Sequence, residues 1–243
     1  MMNAGHGPGM FRRVVVKLSG EALTGGDTHG LNAQTIQRIA ADLVAASDGG
    51  VEIAVVVGGG NFFRGIQGAT KGIERARADS IGMLATVMNA LAIEAAIEAE
   101  GYPARALSAV PMPSVCQPYS RQAALHHLSK GRICVLAGGT GNPFFTTDTG
   151  AVLRAAELSC DAVMKATQVD GVYSADPKHD PHATRFVELT HDEAIAKNLA
   201  VMDTAAFALA RENRIPIIVF SIAVEGAIRA ALEGSGTFTL VTP

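Results

Sequence analysis

The sequence is poor in the residues that build disulfide frameworks, metal clusters and membrane spans. It has three cysteines and no tryptophan. Cys116, Cys134 and Cys160 are odd in number and widely spaced, which excludes a disulfide framework and a CxxC metal pattern and favours reduced thiols in a cytoplasmic protein. No run of 18 apolar residues occurs, because Glu94 and Glu98 interrupt the best candidate. We therefore expect no membrane span.

The chain also lacks a basic surface and a targeting segment. Its net charge is −3 and its pI is near 6.2, whereas nucleic-acid binding needs basic groups to neutralise phosphates, so we expect no nucleic-acid partner. Residues 1–11 lack the basic start and apolar stretch of a signal peptide, and we predict a disordered tail. The apolar share of 48% allows a sizeable core and excludes global disorder. Residues 12–243 are therefore predicted to form one domain, or two closely joined lobes.

Short apolar runs rich in valine and isoleucine alternate with amphipathic stretches along the whole chain. This alternation predicts an α/β fold with a mostly parallel sheet covered by helices. Strands are predicted at 13–18 and 51–57, and helices at 33–47, behind the N-cap Asn32, and at 79–100. Glycine or hydroxyl residues follow the strands. They mark the carboxyl edge of the sheet, where open α/β proteins usually bind ligands.

The first of these loops follows a buried strand that ends in VVVKLSGEAL. Lys17 leaves this strand beside Ser19 and Gly20, a position from which an ammonium group can reach phosphate oxygens. An ordinary surface lysine before a turn accounts for the motif equally well.

The second loop, GGGNFFRG, places three consecutive glycines after a strand. A tight turn needs only one or two glycines, so the loop favours close approach by a phosphate, with Arg64 positioned for bidentate binding. A flexible surface loop is the less favoured alternative.

The third and fourth loops carry hydroxyl, amide and aromatic groups. In GGTGNPFFTTD, Gly139 and Gly141 allow close approach, and the adjacent phenylalanines either wall a base or anchor the loop in the core. Asp148 either caps the next helix, the commoner role, or orients a catalytic group. In KATQVDGVYSADP, Tyr173 either stacks on a purine or packs on the protein, and packing is the simpler interpretation.

Several common catalytic motifs are missing. The sequence has no GxxxxGK[ST] loop, no GxGxxG between a strand and a helix, no HExxH and no GxSxG. These absences exclude a P-loop NTPase, a Rossmann dinucleotide site, a zincin and an α/β-hydrolase nucleophile elbow.

Six segments in the same order resemble bacterial UMP kinases of the amino acid kinase superfamily, from about residue 12 to the C-terminus. They are KLSGEAL, GGGNFFRG, GMLATVMNALA, GTGNPFFTTD, KATQVDGVYSADP and VMDTAAFALAR. Gln168 departs from the pattern, because a lysine often stands at this position, near the expected adenine site. The resemblance implies a three-layer αβα sandwich with an acceptor-binding lobe at about 12–160 and an ATP-binding lobe at about 161–243. It also implies transfer of the γ-phosphoryl group of ATP to UMP, in pyrimidine nucleotide (CTP) biosynthesis.

The resemblance further assigns residues to ligands. The expected ATP contacts are Lys17, Leu18, Ser19, Gly20, Gly60, Arg64, Thr167, Tyr173 and Asp176. The expected UMP contacts are Gly59, Asp79, Thr140, Gly141, Asn142, Pro143, Phe144, Phe145, Thr146 and Thr147. The segment linked to GTP activation comprises Gly25, Gly26, Asp27, Thr28, His29 and Gly30. Homohexamer formation, Mg²⁺ held mainly through ATP phosphates rather than by protein ligands, and GTP and UTP as effectors are also implied.

The expected mechanism is direct in-line transfer, because phosphoryl transfer needs positioning and charge neutralisation more than a nucleophile. Lys17 and Arg64 would stabilise charge on the transferred group, and Asp148 and Asp203 are candidates for orienting the lysine or the metal. Two alternatives stay open. One is a superfamily kinase acting on a carboxylate or carbamate, and the other is a nucleotide-binding storage or regulatory protein.

Overall fold

A sheet of nine strands carries the fold in the computed structural model, which describes residues 11–63, 72–177, 179–199 and 201–243. The strands are β1 (Arg13–Leu18), β2 (Glu52–Val57), β3 (Ala104–Ser108), β4 (Gln117–Pro118), β5 (Ile133–Ala137), β6 (Ala162–Thr167), β7 (Glu188–Thr190), β8 (Ile217–Ser221) and β9 (Phe238–Thr242). Their order across the sheet is β4-β3-β5-β2-β1-β6-β8-β9-β7. The β8–β9 pair is antiparallel, and the other described pairs are parallel.

Seven α-helices and one 3₁₀ turn are found in the described part of the chain. The helices are α1 (Ala33–Ser47), α2 (Arg75–Ala99), α3 (Arg121–Ser129), α4 (Thr147–Leu158), α5 (His191–Ala196), α6 (Thr204–Glu212) and α7 (Ala227–Leu232), and the 3₁₀ turn is Gly20–Leu23. The predicted α1 is confirmed, and Asn32 caps it by accepting a hydrogen bond from Thr35 N. The helix predicted to begin at Asp79 begins at Arg75 instead.

The helices cover both faces of the sheet, as a buried parallel sheet requires. One apolar cluster joins alternate residues of β1 and β2, such as Val14 and Ile53, to α1, α2 and α7. The other cluster joins the intervening residues, such as Val15 and Ala54, to α3, α4 and α6. These two layers of helices confirm the predicted αβα sandwich.

Two regions bear on the predicted domain organisation. The predicted tail at 1–11 lies outside the described residues except for Phe11, which packs against the first cluster. The division into lobes near residue 160 stays a prediction, and β1 pairs with β6 across that boundary within one sheet.

Helix α2 is, by length and composition alone, apolar enough to cross a membrane, a test that core helices of globular proteins also pass. Its Ile93 and Ile97 are buried in the first cluster. Glu94 accepts a hydrogen bond from Ala106 N on β3, at 2.8 Å. These contacts are those of a helix packed on a sheet, while Ile81, Leu84 and Met88 remain exposed.

Candidate active site

Two lysines from neighbouring strands meet one carboxylate at the centre of the sheet. Lys17 of β1 and Lys165 of β6 are paired in register. Asp148 Oδ1 lies 2.7 Å from Lys17 Nζ, and Asp148 Oδ2 lies 2.6 Å from Lys165 Nζ. Like charges directly opposite on adjacent strands destabilise a sheet. Asp148 offsets that repulsion and holds both ammonium groups in place.

The electrostatics of this lysine–aspartate–lysine triad favour a net positive charge. Burial alone would raise the pKa of Asp148, but the ammonium groups of Lys17 and Lys165 outweigh it and hold the pKa below its usual value. Burial, opposed by Asp148 and reinforced by Lys17, lowers the pKa of Lys165. An ionised Asp148 between two ammonium groups leaves one unit of positive charge, which suits an anionic ligand.

Asp148 reaches the lysines because Thr146, not Asp148, caps helix α4. The Thr146 hydroxyl accepts hydrogen bonds from the backbone N–H groups of Asp148 and Thr149. Asp148 therefore lies in the first turn, where a carboxylate also interacts favourably with the helix dipole. Of the two roles considered for Asp148, the structure supports orientation of the lysines.

Asp203 acts on this site from the N-terminus of α6. It caps α6 by accepting a hydrogen bond from Ala206 N at 2.8 Å. Its carboxylate also accepts hydrogen bonds from the hydroxyls of Thr146 and Thr149. Asp203 therefore fixes the N-terminus of α4, and through it the position of Asp148, rather than binding Lys17.

The glycine loop, residues 58–60, lies against the turn that follows β1. A Cβ on Gly20 would stand 2.5 Å from Asn61 Oδ1 and 2.7 Å from Gly60 N. A Cβ on Gly59 would stand 2.7 Å from the carbonyl oxygen of Gly82 on α2. The lack of side chains at Gly20 and Gly59 is therefore needed for these segments to pack against each other.

Ser19 caps the 3₁₀ turn by accepting a hydrogen bond from Ala22 N at 3.2 Å. Leu18, the last residue of β1, is fully buried. Both predicted ATP contacts thus lie beside Lys17 at the carboxyl end of the strand. Arg64, predicted to reach the phosphates, lies outside the described residues.

A cavity of about 570 Å³ opens between the glycine loop, α2 and the loop before α4. Its walls include most of the predicted acceptor contacts, namely Gly59, Asp79, Thr140, Asn142, Phe145, Thr146 and Thr147. The other three predicted residues, Gly141, Pro143 and Phe144, lie on the same loop. Thr86 of α2 accepts a hydrogen bond from Gly138 N at 2.7 Å and so fixes the start of this loop.

Asp79 connects α2 to the tip of the acceptor loop. Its Oδ2 accepts a hydrogen bond from Phe144 N at 2.8 Å, and both of its oxygens accept hydrogen bonds from Arg75 Nε. Phe144 has a φ of +71° and its side chain is 64% exposed. A non-glycine residue in this region costs about 1–2 kcal/mol. The loop is therefore held in a strained shape by Asp79 rather than by burial of the ring.

A second cavity of about 430 Å³ is lined by Asp148 and Lys165 of the triad, by Asp203 and by residues of α5 and α6. The predicted adenosine contacts lie at and after the end of β6. Thr167 accepts a hydrogen bond from Val169 N, and the Tyr173 hydroxyl donates one to Asp170 at 2.7 Å. Asp176 follows on the same loop, and its Oδ2 lies 3.8 Å from His179 Nε2.

The segment predicted to take part in GTP activation borders a third cavity of about 460 Å³. Asp27, Thr28 and His29 line it together with Gly60 and Asn61 of the region after β2. Gly25, Gly26 and Gly30 have positive φ and shape the same segment. This segment therefore adjoins the glycine loop.

Sequence reasoning missed Lys165, Arg75 and Thr86. The available signal for Lys165 was its resemblance to Lys17, since each is a lysine near the end of an otherwise apolar strand. Thr86 lies within GMLATVMNALA, one of the segments that carry the resemblance, but nothing in that segment assigns it a role. Arg75 lies before this segment, and no motif distinguishes it from a structural residue of α2.

The carboxylates near the triad are already engaged. Both oxygens of Asp148 face lysines, and Asp203 accepts hydrogen bonds from Thr146, Thr149 and Ala206. Within the described ranges, no group of three or more His, Cys, Asp or Glu side chains is arranged to hold a metal ion. A divalent cation here would take its ligands mainly from a bound phosphate chain.

The chain is similar to known proteins both in sequence and in structure. The sequence profile described as the amino acid kinase family matches residues 12–221. A uridylate kinase from Azorhizobium caulinodans is 63% identical over 97% of this chain and 100% of its own length, and one from a Bradyrhizobium strain is 61% identical over 96% and 98%.

Two solved structures of UMP kinases also match. The Bacillus anthracis enzyme has a TM-score of 0.92 at 38% identity and 96% coverage of both chains. The Ureaplasma parvum enzyme has a TM-score of 0.91 at 34% identity, with 96% of this chain and 99% of that chain covered. Matches of this extent and identity place the chain in the amino acid kinase family, among its uridylate kinases.

Proposed function

We propose that the protein transfers the γ-phosphoryl group of ATP to UMP, giving UDP and ADP. The observation that carries this proposal is the triad of Lys17, Asp148 and Lys165 next to the acceptor cavity. Thr147 lines that cavity, and the next residue, Asp148, binds both lysines. A fixed positive charge beside a bound acceptor is what transfer of an anionic group requires.

The chemistry is direct in-line transfer. A phosphate oxygen of UMP is ionised at neutral pH and attacks the γ-phosphorus of ATP, while the bond from that phosphorus to the bridging oxygen of ADP breaks. No general base is needed. The ammonium groups of Lys17 and Lys165 stabilise the charge that develops on the transferred group, and Asp148 keeps them in position.

Mg²⁺ fits this site as a partner of ATP rather than as a resident ion of the protein. The described carboxylates near the phosphates are engaged by lysines and hydroxyls. We infer that the cation is held mainly through the ATP phosphates, where it neutralises their charge. The protein's own contribution is then the triad and the backbone N–H groups around Gly20 and Gly60.

The two ligands are assigned to different sets of residues around the triad. UMP occupies the acceptor cavity, with Asp79 and the loop 140–147 around it. The ATP phosphates lie along residues 17–20 and Gly60, and adenosine lies near Thr167, Tyr173 and Asp176. The side chains of the triad are only 8–13% exposed, so solvent screens their charges little and they act strongly on a bound phosphate.

Assembly and regulation form a separate part of the proposal. We infer a homohexamer, for which the exposed Ile81, Leu84 and Met88 of α2 supply an apolar contact surface. GTP and UTP are proposed effectors, with residues 25–30 taking part in the response to GTP. Light scattering after size-exclusion chromatography tests assembly, and Leu84→Glu is expected to reduce the mass of the particle.

The first experiment measures ADP release with ATP, Mg²⁺ and each of UMP, CMP, dTMP, AMP and GMP in turn. We expect a strong preference for UMP. Acetylglutamate and carbamate serve as acceptors for the alternative kinase activity. Turnover with one of those and not with UMP would transfer the assignment to that class, and no turnover with any acceptor would favour a storage or regulatory protein.

The second experiment tests the triad. Lys17→Ala should lower kcat far more than it raises the KM for UMP, because the interaction is made with the transferred group. Lys130→Ala, at an exposed lysine after α3, is the matched control and should leave both constants unchanged. A change in Lys17→Ala confined to KM would contradict the proposed role.

A further inference from the structure

Two buried asparagines face each other beneath the glycine loop. Asn89, in the middle of α2, is fully buried, and Asn61, just after the glycine loop, is 4% exposed. Asn61 Nδ2 donates to Asn89 Oδ1 at 3.0 Å, and Asn89 Nδ2 donates to Asn61 Oδ1 at 2.8 Å. The two amides thus form a closed pair in which each group is both donor and acceptor.

The remaining N–H group of each amide fixes the orientation of the pair. Asn89 Nδ2 also donates to the carbonyl oxygen of Gly58 at 2.6 Å, and Asn61 Nδ2 donates to the carbonyl oxygen of Gly30 at 2.8 Å. Turning either amide over would place a carbonyl oxygen against another carbonyl oxygen. All four amide N–H groups are therefore used, and an apolar or shorter side chain at either position leaves buried groups unpaired.

The pair joins three segments that are distant in sequence. Through Asn89 on α2 the pair binds the carbonyl oxygen of Gly58. Gly58 N in turn donates to the carbonyl oxygen of Leu18, at the end of β1, at 2.9 Å. Gly30 N donates to the carbonyl oxygen of Asn61 at 3.0 Å, so residues 24–31 are bound to Asn61 by a second hydrogen bond. The glycine loop, the end of β1 and the segment 24–31 thus have one shared point of attachment.

We propose that Asn61 and Asn89 are positioning residues that set the shape of the glycine loop for phosphoryl transfer and bind the segment 24–31 to it. This inference rests on the proposed UMP kinase activity. Neither side chain is expected to touch a substrate. Their effect is on where Gly59 and Gly60 stand relative to Gly20, and hence on the alignment of the two phosphates.

The test compares Asn89→Leu and Asn61→Ala with the unmodified protein. Asn89→Leu keeps the branching at Cγ and the number of side-chain heavy atoms but removes the hydrogen bonds, and Asn61→Ala removes the amide next to an open cavity. We expect kcat to fall about 10- to 100-fold in each, since small misplacement of reacting groups costs this much. The double variant should lose little more than the worse single variant, because one unit is broken in each case.

Hydrogen exchange gives a readout that does not depend on activity. Peptides covering 24–31 and 58–63 should exchange faster in both variants than in the unmodified protein. Asp42→Leu is the matched control, because Asp42 is also buried and its Oδ1 accepts a hydrogen bond from Gly226 N at 2.9 Å, between α1 and α7. It should reduce stability while leaving kcat and the exchange of these peptides unchanged.

The outcomes separate this inference from the proposed function. If the unmodified protein turns over UMP, but both asparagine variants keep kcat within about twofold of it or lose only as much as Asp42→Leu, the inference is wrong. If the unmodified protein shows no turnover of UMP, the proposed function fails, and hydrogen exchange then decides the role of the pair alone. Unchanged exchange in both segments overturns that role.

Discussion

Lys17 and Lys165 face each other in register on neighbouring strands, and the single carboxylate of Asp148 binds both ammonium groups. Two like charges in the interior of a sheet are stable only with such a partner. The arrangement supplies positive charge without the mobility of surface lysines. Its consequences can be tested by changing the pH or the carboxylate.

The first prediction concerns activity at alkaline pH. Burial lowers the pKa of Lys165 from 10.5, and Asp148 opposes that change. The transfer rate should therefore decline at a pH below 10.5, and Asp148→Asn should move this decline to lower pH, because the neutral amide no longer favours the ammonium form. Profiles of kcat/KM against pH at constant ionic strength measure both effects, because kcat/KM reports the ionisation of groups in the free protein.

Asp161→Asn is the matched control for that experiment. Asp161 lies just before β6, at the other end of the strand, where it accepts a hydrogen bond from Arg13 N at 2.9 Å. It should leave the alkaline decline in place. An alkaline decline at the same pH in Asp148→Asn and the unmodified protein would contradict the role given to Lys165.

The second prediction concerns Asp203. Asp203→Ala removes a helix cap, a change that costs about 1 kcal/mol of unfolding free energy. It also leaves the buried hydroxyl of Thr149 unpaired, which adds about 1–3 kcal/mol. Because Thr146 lines the acceptor cavity, the KM for UMP should rise as well. Urea unfolding and steady-state kinetics measure the two effects.

Thr190→Ala provides the comparison, since Thr190 caps α5 in a capping box away from the acceptor loop. It should cost about 1 kcal/mol and leave the KM for UMP unchanged. Equal effects of Asp203→Ala and Thr190→Ala on KM would show that Asp203 is only a cap.

The third prediction concerns strain in the acceptor loop. Phe144 has a φ of +71°, whereas its neighbour Phe145 is similarly exposed and has no such strain. Glycine tolerates a positive φ, so Phe144→Gly should be more stable than Phe145→Gly by about 1–2 kcal/mol. Chemical denaturation of the two variants measures the difference. Equal stability would mean that the free loop does not keep this conformation.

The fourth prediction concerns a buried histidine remote from the triad. His191 Nε2 lies 2.9 Å from the carbonyl oxygen of Ile215 and donates to it, while Nδ1 is buried with no hydrogen-bond partner among the described residues. Burial lowers the pKa of His191 below 6.5. Below pH 6.5 the unfolded chain binds a proton that the folded chain does not. The free energy of unfolding should therefore decrease as the pH is lowered, by up to about 1.4 kcal/mol per pH unit.

The test measures unfolding free energies at about pH 7.5 and about pH 5.5, which lie on either side of the ordinary histidine pKa. It compares His191→Gln with a control variant, His126→Gln, in which the replaced histidine is exposed. The difference between the two pH values should shrink in His191→Gln and persist in His126→Gln. The reverse result would assign the acid sensitivity to another group.

Local signals in the sequence were sufficient for much of the fold. The bounds of β1 and the cap of α1 are confirmed, because buried β-branched runs and an asparagine before a helical pattern act within a few residues. The predicted start of α2 at Asp79 was wrong, because the helix begins at Arg75. Asp79 does not cap this helix, since its carboxylate is bound by Arg75 within the helix and by Phe144 N of the acceptor loop.

The arrangement of the site could be predicted only in part. The loops after β1, β2 and β5 were predicted as ligand-binding segments, because glycines and threonines clustered at the carboxyl ends of strands are typical of such loops. The partnership of Lys165 with Asp148 depends on strand register, and that of Asn61 with Asn89 depends on how α2 lies on the sheet. Neither relationship is encoded in a short stretch of chain, so a single sequence does not reveal it.

The central place of β1 has a consequence for biosynthesis. Although β1 precedes the other described strands in the chain, its partners are β2 and β6, and Val14 pairs with Ala162. The edge of β1 that pairs with β6 therefore stays unpaired until most of the chain has been translated. During this time an apolar strand edge is exposed and prone to aggregation. A nascent chain that ends before β6 contains Lys17 but not Lys165. The triad of Lys17, Asp148 and Lys165 can therefore form only late in synthesis.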